Sequence, residues 1–178
     1  EVRNLMGLAH SPRIVTDGLV LCLDAANTKS YGGSGTTWTD LSTNGNNGSI
    51  SGATHTSGAG GYFSFDGSTD HIITGLTRGD LGNTLTIVVW YKYTGSSNRT
   101  YTAIIGGKES GSGTEFFIGK NTGNTNIGVQ DGNYSSTFVT GSNAFDGNWH
   151  QIVYTYDSGT GKIYLDGTLK SSGSFTKC

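Results

Sequence analysis

Charge is scarce in this 178-residue sequence, whose 11 basic and 13 acidic residues give a formal net charge of −2. The basic residues are scattered, which argues against a nucleic-acid partner or an anionic membrane surface. No apolar run reaches the roughly 18 residues that a membrane-crossing helix requires, so no membrane span is predicted. The amino end lacks a charged region followed by an apolar run, so any signal peptide is expected to have been removed or never to have existed.

Helical spacing and proline are lacking as well. No stretch of ten or more residues repeats its apolar positions with a helical period, and the chain has one proline beside 30 glycines. Glycine, serine, threonine and asparagine between short apolar stretches are typical of short strands joined by tight turns. A chain of this length forms one domain that buries about 70% of its unfolded surface. The prediction is a single all-β domain.

Two cysteines, Cys22 and Cys178, are too few for a disulfide scaffold or a zinc cluster. The simpler interpretation is a buried free thiol at Cys22 and a terminal thiol at Cys178. The alternative is a disulfide between them, or between neighbouring subunits, which requires an oxidising compartment.

The clearest alternation of apolar and polar residues lies between Asp146 and Gly167. Ile152, Tyr154 and Tyr156 share one face, and after a Ser/Gly turn Ile163 and Leu165 alternate with polar neighbours. Period-two alternation around such a turn predicts an antiparallel hairpin with one face in a core.

Short strands at spacings of roughly 8 to 12 residues are typical of β-sandwiches. The alternating run from Leu85 to Tyr93 is the longest, which favours a central place in a sheet. The remaining strands are predicted at Asp17–Asp24, around Phe63–Phe65, and at Asp70–Thr74, Ala103–Gly106, Glu115–Gly119, Asn126–Gln130, Ser136–Thr140 and Thr168–Phe175.

Three segments resemble laminin G-like domains of the concanavalin A type. They read V-T-D-G-L-V-L-C-L-D-A-A-N with a following W-T-D-L-S, then F-D-G-S-T-D-H-I, and finally W-H-Q-I-V-Y-T-Y-D with G-K-I-Y-L-D-G. The sequence departs from the family at Gly32, where proline is frequent, and at Thr43, where glycine is frequent. The resemblance implies an antiparallel two-sheet jelly-roll sandwich over residues 17–178, of the type found in phage structural and bacterial surface proteins.

Domains of this family usually continue with a further strand that pairs with the first strand and closes the sandwich. The sequence shows no such strand after Phe175, so the chain is truncated, the comparison misleads, or another segment fills the gap. Residues 1–16 form an apolar arm that is a candidate donor, and inserting it into the next subunit would produce a head-to-tail filament. The apolar residues of this arm are Val2, Leu5, Met6, Leu8, Ile14 and Val15.

Catalytic motifs are not recognisable. The only glutamates are Glu1, Glu109 and Glu115, and the E-x-D-x-x-E pattern of the family's glycosidases is missing. Aspartates such as Asp146 and Asp166 lie in turn contexts where capping of the backbone explains them. The four histidines stand apart in sequence. The chain is therefore predicted not to be an enzyme, and a glycoside hydrolase fragment is the least favoured alternative.

Calcium is the one metal that the resemblance implies, because related domains bind it with loop oxygens. The best pairs are Asp66 with Asp70 and Asp24 with Asn27, although capping of turns is the favoured explanation for all four.

Glycan binding needs exposed aromatic faces, and the candidates are Tyr31, Trp38, Trp90 and Tyr134. Trp90 falls on the face opposite Leu85, Ile87 and Val89. A core position is nevertheless favoured for Trp90 and for Trp149, because large aromatic residues dominate sandwich cores, whereas Tyr31 and Tyr134 are expected to be more open.

Three N-x-S/T sequons, at Asn47, Asn98 and Asn133, are candidate glycosylation sites in a secretory host. The sequence therefore predicts a non-catalytic structural or adhesive subunit of an extracellular filament or a virion or cell surface, joined head-to-tail by strand exchange if the arm is the donor. Its expected partners are copies of itself or other surface proteins. The alternative is a calcium-dependent, lectin-like module that binds glycans.

Overall fold

The computed structural model describes residues 14–58, 60–77, 80–95, 102–108, 114–120, 127–131, 137–139 and 144–174. The chain divides into two compact units, Glu1–Gly75 and Leu76–Cys178. The described residues form strands and turns without an α-helix. The strands are β1 (Thr37–Trp38), β2 (Gly48–Ser51), β3 (Thr54–Thr56), β4 (Tyr62–Ser64), β5 (His71–Ile73), β6 (Thr84–Lys92), β7 (Thr102–Lys108), β8 (Thr114–Lys120), β9 (Ile127–Asp131), β10 (Thr137–Val139), β11 (Trp149–Asp157), β12 (Thr160–Leu165) and β13 (Thr168–Ser174).

The first unit contains a three-stranded sheet, in the order β1-β2-β5, and the two-stranded hairpin β3-β4. All of its pairings are antiparallel. Its interior is aromatic, since the ring of Phe63 lies 4.6 Å from Trp38 and 4.9 Å from Tyr31, measured between centroids. Such tilted and edge-on ring pairs are the arrangements that aromatic side chains prefer.

The second unit contains two four-stranded antiparallel sheets, β10-β9-β8-β7 and β13-β12-β11-β6. Ile118 and Val129 of the first sheet belong to the same buried cluster as Ile152, Tyr154 and Ile163 of the second. One face of each sheet therefore contributes to a shared core, which is the construction of a β-sandwich. The predicted all-β, two-sheet fold class is confirmed.

The predicted hairpin is confirmed as β11 and β12. Their register pairs Ile152 with Leu165 and Tyr154 with Ile163, so the alternating apolar residues fall on one buried face. The turn between them passes through Ser158 and Gly159, both with positive φ, at 45° and 98°. Two residues of this conformation match the right-handed twist of the flanking strands, which explains the tight connection.

Two strand predictions are wrong. Residues 17–24 form no strand, because side chains of the loop that follows β1 bond to part of their backbone and no ladder partner is present among the described residues. The run from Leu85 to Tyr93 forms β6, but β6 pairs only with β11 and lies at a sheet edge in the described structure. Alternation of apolar and polar residues shows that one face of a strand is buried, but it does not show how many strands pair with it. Whether residues 17–178 form one domain stays a prediction.

Candidate functional site

The outer face of the β13-β12-β11-β6 sheet contains the largest exposed aromatic side chain near the core hairpin. Trp90 is 63% exposed and lies directly across from Gln151 in the ladder between β6 and β11. One row further, the register aligns Val88, Val153, Tyr164 and Leu169 across all four strands. We call these six residues the Trp90 surface.

The core positions favoured for Trp90 and Trp149 are wrong. Trp90 points away from the core, as its place opposite Leu85 and Ile87 indicates, and Trp149 is 45% exposed. The inward face of β6 is already filled by Leu85, Ile87, Val89 and Tyr91. In a strand the residue between two inward side chains must point outward, so local alternation outweighs the general preference of tryptophan for cores.

Two of the other predicted aromatic ligands, Tyr31 and Trp38, belong to the first unit. Tyr31, which was expected to be open, is buried in the first unit, and its hydroxyl donates to the Gly35 carbonyl oxygen at 3.0 Å. Trp38 is half-buried against Phe63, and its indole Nε1 has no hydrogen-bond partner among the described residues. Tyr134 lies outside the described residues.

The first candidate pair for calcium, Asp66 with Asp70, caps its own turn. Asp66 Oδ1 accepts hydrogen bonds from the backbone N–H groups of Ser68, Thr69 and Asp70, at 2.7, 3.0 and 3.1 Å. Asp70 Oδ2 accepts the Asp66 N–H at 2.9 Å. The bond from Ser68 is the largest of the effects that lower the pKa of Asp66, to about 2.

The second pair is engaged in the same way. Asp24 Oδ1 accepts the Ala26 N–H at 2.9 Å, and Asn27 Oδ1 accepts the Lys29 N–H at 3.0 Å. Calcium takes six to eight oxygen ligands. No group of three or more acidic, histidine or cysteine side chains converges among the described residues. Capping of turns accounts for the observed contacts of both pairs, and a calcium site at either pair stays a prediction.

A buried carboxylate holds the segment of residues 19–24, which we call the acceptor segment. Asp40 Oδ1 accepts the N–H groups of Cys22 and Ser42, each at 2.9 Å, and Oδ2 accepts the Ser42 hydroxyl and the Asn46 N–H. Burial would raise the pKa of Asp40, but the hydrogen bonds, led by that of the Ser42 hydroxyl, outweigh burial and lower it. Asp40 thus stays ionised and ties the acceptor segment to the loop after β1.

Sequence reasoning missed a cluster of Asp146, His150 and Asp166 in the second unit. The Nε2 atom of His150 lies 2.9 Å from Asp146 Oδ1, and Nδ1 lies 2.7 Å from Asp166 Oδ2. An ionised carboxylate only accepts hydrogen bonds, so both ring nitrogens donate and the imidazole is protonated. The cluster joins the loop before β11 to the turn between β12 and β13.

The pKa values of this cluster follow from its geometry. Burial would lower the pKa of His150, but the hydrogen bonds to Asp166 and Asp146 outweigh burial and raise it. The bond from His150 lowers the pKa of Asp146 to about 2, and the Gln151 N–H, followed by His150, lowers that of Asp166. Beneath the cluster the Tyr91 hydroxyl donates to the Ala144 carbonyl oxygen, and burial raises the pKa of Tyr91.

The remaining predicted residues are only partly placed. Asn47 is exposed, and its side-chain oxygen accepts the Asp40 N–H at 2.9 Å, while Asn98 and Asn133 lie outside the described residues. The pKa of the Cys22 thiol is raised by burial and by Asp24 and Asp40. Cys178 lies outside the described residues, so the disulfide stays a prediction.

The apolar arm and the glutamates are described in part. Ile14 and Val15 are exposed, at 57% and 76%. The other arm residues Val2, Leu5, Met6 and Leu8 lie outside the described residues, and so does Glu109. Glu115 lies in β8, but its side chain is not described.

Comparison with known proteins assigns the family. No curated protein matches this chain. Within the described ranges, no helix has the length and apolar character needed to cross a membrane. The family model of laminin G domains described as the concanavalin A-like lectin/glucanases superfamily matches residues 66–177. Because this match covers more than half of the chain and agrees with the two-sheet sandwich, the protein belongs to the laminin G-like domains of the concanavalin A-like superfamily.

Proposed function

We propose that this chain is a non-catalytic adhesive module of an extracellular, cell or virion surface, and that it binds glycans through the Trp90 surface. The observation that carries the proposal is the exposed indole of Trp90 directly across from the Gln151 side chain. An isolated exposed tryptophan is unremarkable, whereas this one continues into an apolar row across four strands.

The chemistry of the Trp90 surface suits a sugar ring. One face of many pyranose rings presents C–H groups that stack on an indole or phenol ring, and Trp90 and Tyr164 offer such rings. The hydroxyl groups at the ring edge need donors and acceptors, which the Gln151 amide supplies together. Membership of a superfamily whose name includes lectins supports the same ligand class.

The ionisation of the described carboxylates supports a non-catalytic role. A glycosidase general acid needs a carboxyl group whose pKa is raised towards neutrality. Asp40, Asp66, Asp80, Asp146 and Asp166 all have lowered pKa values, because hydrogen bonds stabilise their ionised forms. These groups act as hydrogen-bond acceptors in turns and loops instead of proton donors.

A glycan array followed by titration of the best ligand tests this proposal. Trp90→Ala should weaken binding about tenfold, because the loss of ring stacking costs about 1 to 1.5 kcal/mol. Phe65→Ala is the matched control, since Phe65 is an aromatic side chain of similar exposure outside the Trp90 surface. Binding should survive a chelator, because the candidate calcium pairs cap turns. Equal affinities of the Trp90 and Phe65 variants would refute the assignment of the site.

A second function, self-assembly as a structural surface subunit, is favoured by a different observation. Within the acceptor segment, Val20 and Cys22 are hydrogen-bonded through their backbone, whereas Leu21 and Leu23 have no backbone hydrogen bond among the described residues. An unpaired extended edge is a template for a strand from another chain. Sedimentation velocity and negative-stain images of the intact chain test this function. We expect assemblies that grow as the protein concentration rises. A chain that stays monomeric would refute it.

A further inference from the structure

The two edges of the acceptor segment, residues 19–24, differ in their hydrogen bonds. On one edge the Val20 carbonyl oxygen accepts the side-chain amides of Asn44 and Asn46, at 3.2 and 2.9 Å. On the same edge Cys22 donates to Asp40, and its carbonyl oxygen accepts the Leu41 N–H. In an extended chain the N–H and C=O groups of alternate residues point to opposite edges. The backbone groups of Val20 and Cys22 are therefore turned towards the loop after β1, whereas Asp24 donates its N–H to Ser30 Oγ in the loop before β1.

The opposite edge is open. Its backbone groups belong to Leu21 and Leu23, and neither residue has a backbone hydrogen bond among the described residues. Both side chains are half-buried, and Leu23 Cδ1 lies 3.6 Å from the position that a Cβ on Gly48 would take. Among the described residues, the N–H and C=O groups of Leu21 and Leu23 thus have no partner, and an edge of this kind can pair with an added strand.

The acceptor segment is ordered before any partner arrives. Asp40 is buried, and Asn44 and Ser42 bond to the carbonyl oxygens of Leu19 and Val20. Binding a strand to an edge that is already held costs less conformational entropy than ordering a free loop. The network around Asp40 therefore makes the open edge a prepared binding site.

The chain's own arm supplies a segment of the right character. Residues 2–8 read Val-Arg-Asn-Leu-Met-Gly-Leu, and three of the four even positions, Val2, Met6 and Leu8, are apolar. Asn4 and Leu5 break strict alternation, so a strand of these residues would lay three apolar side chains on the leucines. Pro12 cannot donate a ladder hydrogen bond, which places the useful strand before it.

The described part of the arm, residues 14–16, forms no ladder with its own acceptor segment among the described residues. The Leu19 N–H bonds to the Thr16 carbonyl oxygen, and Gly18 has φ of 73°, which together define a type II turn. Turns of this type splay the flanking chains instead of pairing them in a hairpin. Ile14 and Val15 are accordingly exposed in the single chain.

We propose that the open edge of residues 19–24 accepts residues 2–8 of a second copy of this chain as an added strand. The inference rests on the self-assembly function proposed above and names its binding site. Charge agrees with this pairing, because residues 1–13 contain Arg3 and Arg13 against one glutamate, whereas residues 17–24 contain Asp17 and Asp24 and no basic residue. The contact is head-to-tail, so each copy both donates and accepts a strand.

Two variants separate the donor from the acceptor. Met6→Asp places a charge on the apolar face of the arm. Leu21→Pro removes one N–H group of the open edge without removing a described hydrogen bond. Leu5→Asp is the matched control, because in an added strand position 5 would lie on the face opposite Met6. Sedimentation velocity should show that each of the first two variants assembles only at about tenfold higher concentration than the intact chain, while Leu5→Asp assembles normally.

Mixing the two variants gives the decisive result. The Met6→Asp chain keeps a functional edge and the Leu21→Pro chain keeps a functional arm, so an equimolar mixture should form heterodimers that grow no further. A labelled peptide of residues 1–10 should bind the Met6→Asp chain, measured by fluorescence anisotropy, and not the Leu21→Pro chain. Circular dichroism checks the fold of Leu21→Pro. If that variant is misfolded, the comparison of Met6→Asp with Leu5→Asp still decides the donor.

Failure of the proposed edge can be distinguished from failure of the self-assembly function. If the intact chain assembles and both variants assemble equally well, self-assembly stands and the proposed edge is overturned. If the intact chain stays monomeric while the peptide binds the Met6→Asp chain, the arm occupies its own edge and the second copy is overturned as the occupant. A monomeric chain without peptide binding overturns both the edge and the self-assembly function.

Discussion

Replacing His150 with glutamine should remove a pH-dependent part of the free energy of unfolding. The imidazole donates to Asp146 and Asp166 at once, which glutamine cannot do in the same geometry. The pKa of His150 is raised in the folded state, so its contribution is complete below the unfolded value of about 6.5 and is lost as the pH rises through the folded value.

The carboxylates of Asp146 and Asp166 determine the lower limit of the pH range in which the cluster stabilises the fold. Their pKa values are lowered in the folded state, to about 2 for Asp146, so their contribution is complete above the unfolded value of about 4 and disappears as the pH falls through the folded values. The cluster should therefore contribute most between about pH 4.5 and 6.5.

The expected loss of stability depends on how exposed the three side chains of the cluster are. The His150 side chain is 12% exposed, whereas its two partners are 36% and 49% exposed, so solvent screens the ion pairs in part. Hydrogen bonds to charged groups contribute about 1.5 to 3 kcal/mol when they are buried. After this discount we expect the His150 variant to lose about 1 to 2 kcal/mol at pH 5.5 and less than about 0.5 kcal/mol at pH 9.

Urea unfolding at a series of pH values, followed by tryptophan fluorescence and by far-ultraviolet circular dichroism, measures this loss. His71→Gln is the control, because the His71 ring bonds to the Thr69 carbonyl oxygen instead of a carboxylate. A stability difference between wild type and the His150 variant that is flat from pH 5 to pH 9 would refute the protonated cluster. Nitrogen chemical shifts that show a neutral His150 ring at pH 6 would refute it as well.

Three further substitutions test other parts of the structure, each by urea unfolding. Thr43→Gly should stabilise the chain by about 1 kcal/mol, because a β-branched residue is strained at φ of 76°, and Thr43→Ala should give a smaller gain. Asp40→Asn should cost about 2 kcal/mol, because the amide keeps one acceptor oxygen and turns its NH2 group towards two of the four donors, and no loss would contradict the role of Asp40. Ile163→Ala should cost about 3 kcal/mol because Ile163 is fully buried, whereas the exposed Lys162→Ala should change little.

The sequence alone predicts the hairpin well because both of its determinants are local. Alternation assigns the buried face from Ile152 to Leu165, and the Ser/Gly turn fixes the register of the two strands. The strands β7 to β10 are predicted within one or two residues of their observed bounds for the same reason.

The sequence could not show which segments pair as strands when they lie far apart in the chain. Residues 17–24 have the alternation of a strand, but a strand requires a partner, and side chains around Asp40 take its place along one edge. The exposure of Trp90 follows from alternation within β6, so this signal was present and was outweighed by the general preference of tryptophan for cores. The two-residue period of a strand by itself places Trp90 on the exposed face of β6.

Part of the cluster of Asp146, His150 and Asp166 could be predicted from the sequence. Pairing Ile152 with Leu165 sets Gln151 across from Asp166, which brings the neighbouring His150 to the same end of the hairpin. A histidine at the start of one strand and an aspartate at the end of its partner were therefore predictable neighbours. Nothing in the spacing shows that Asp146 folds onto the second ring nitrogen, because that contact depends on the path of the loop.

The order of strands in the β13-β12-β11-β6 sheet bears on how the protein folds. The strands β11, β12 and β13 follow one another with short turns, so their ladders close small loops. In contrast, β6 meets β11 across a separation of 73 residues between Thr84 and Asp157. Closing a loop of that length costs entropy before any contact compensates for it. We expect the three-stranded meander to form the folding nucleus, and β6, which carries Trp90, to dock last and to limit the refolding rate.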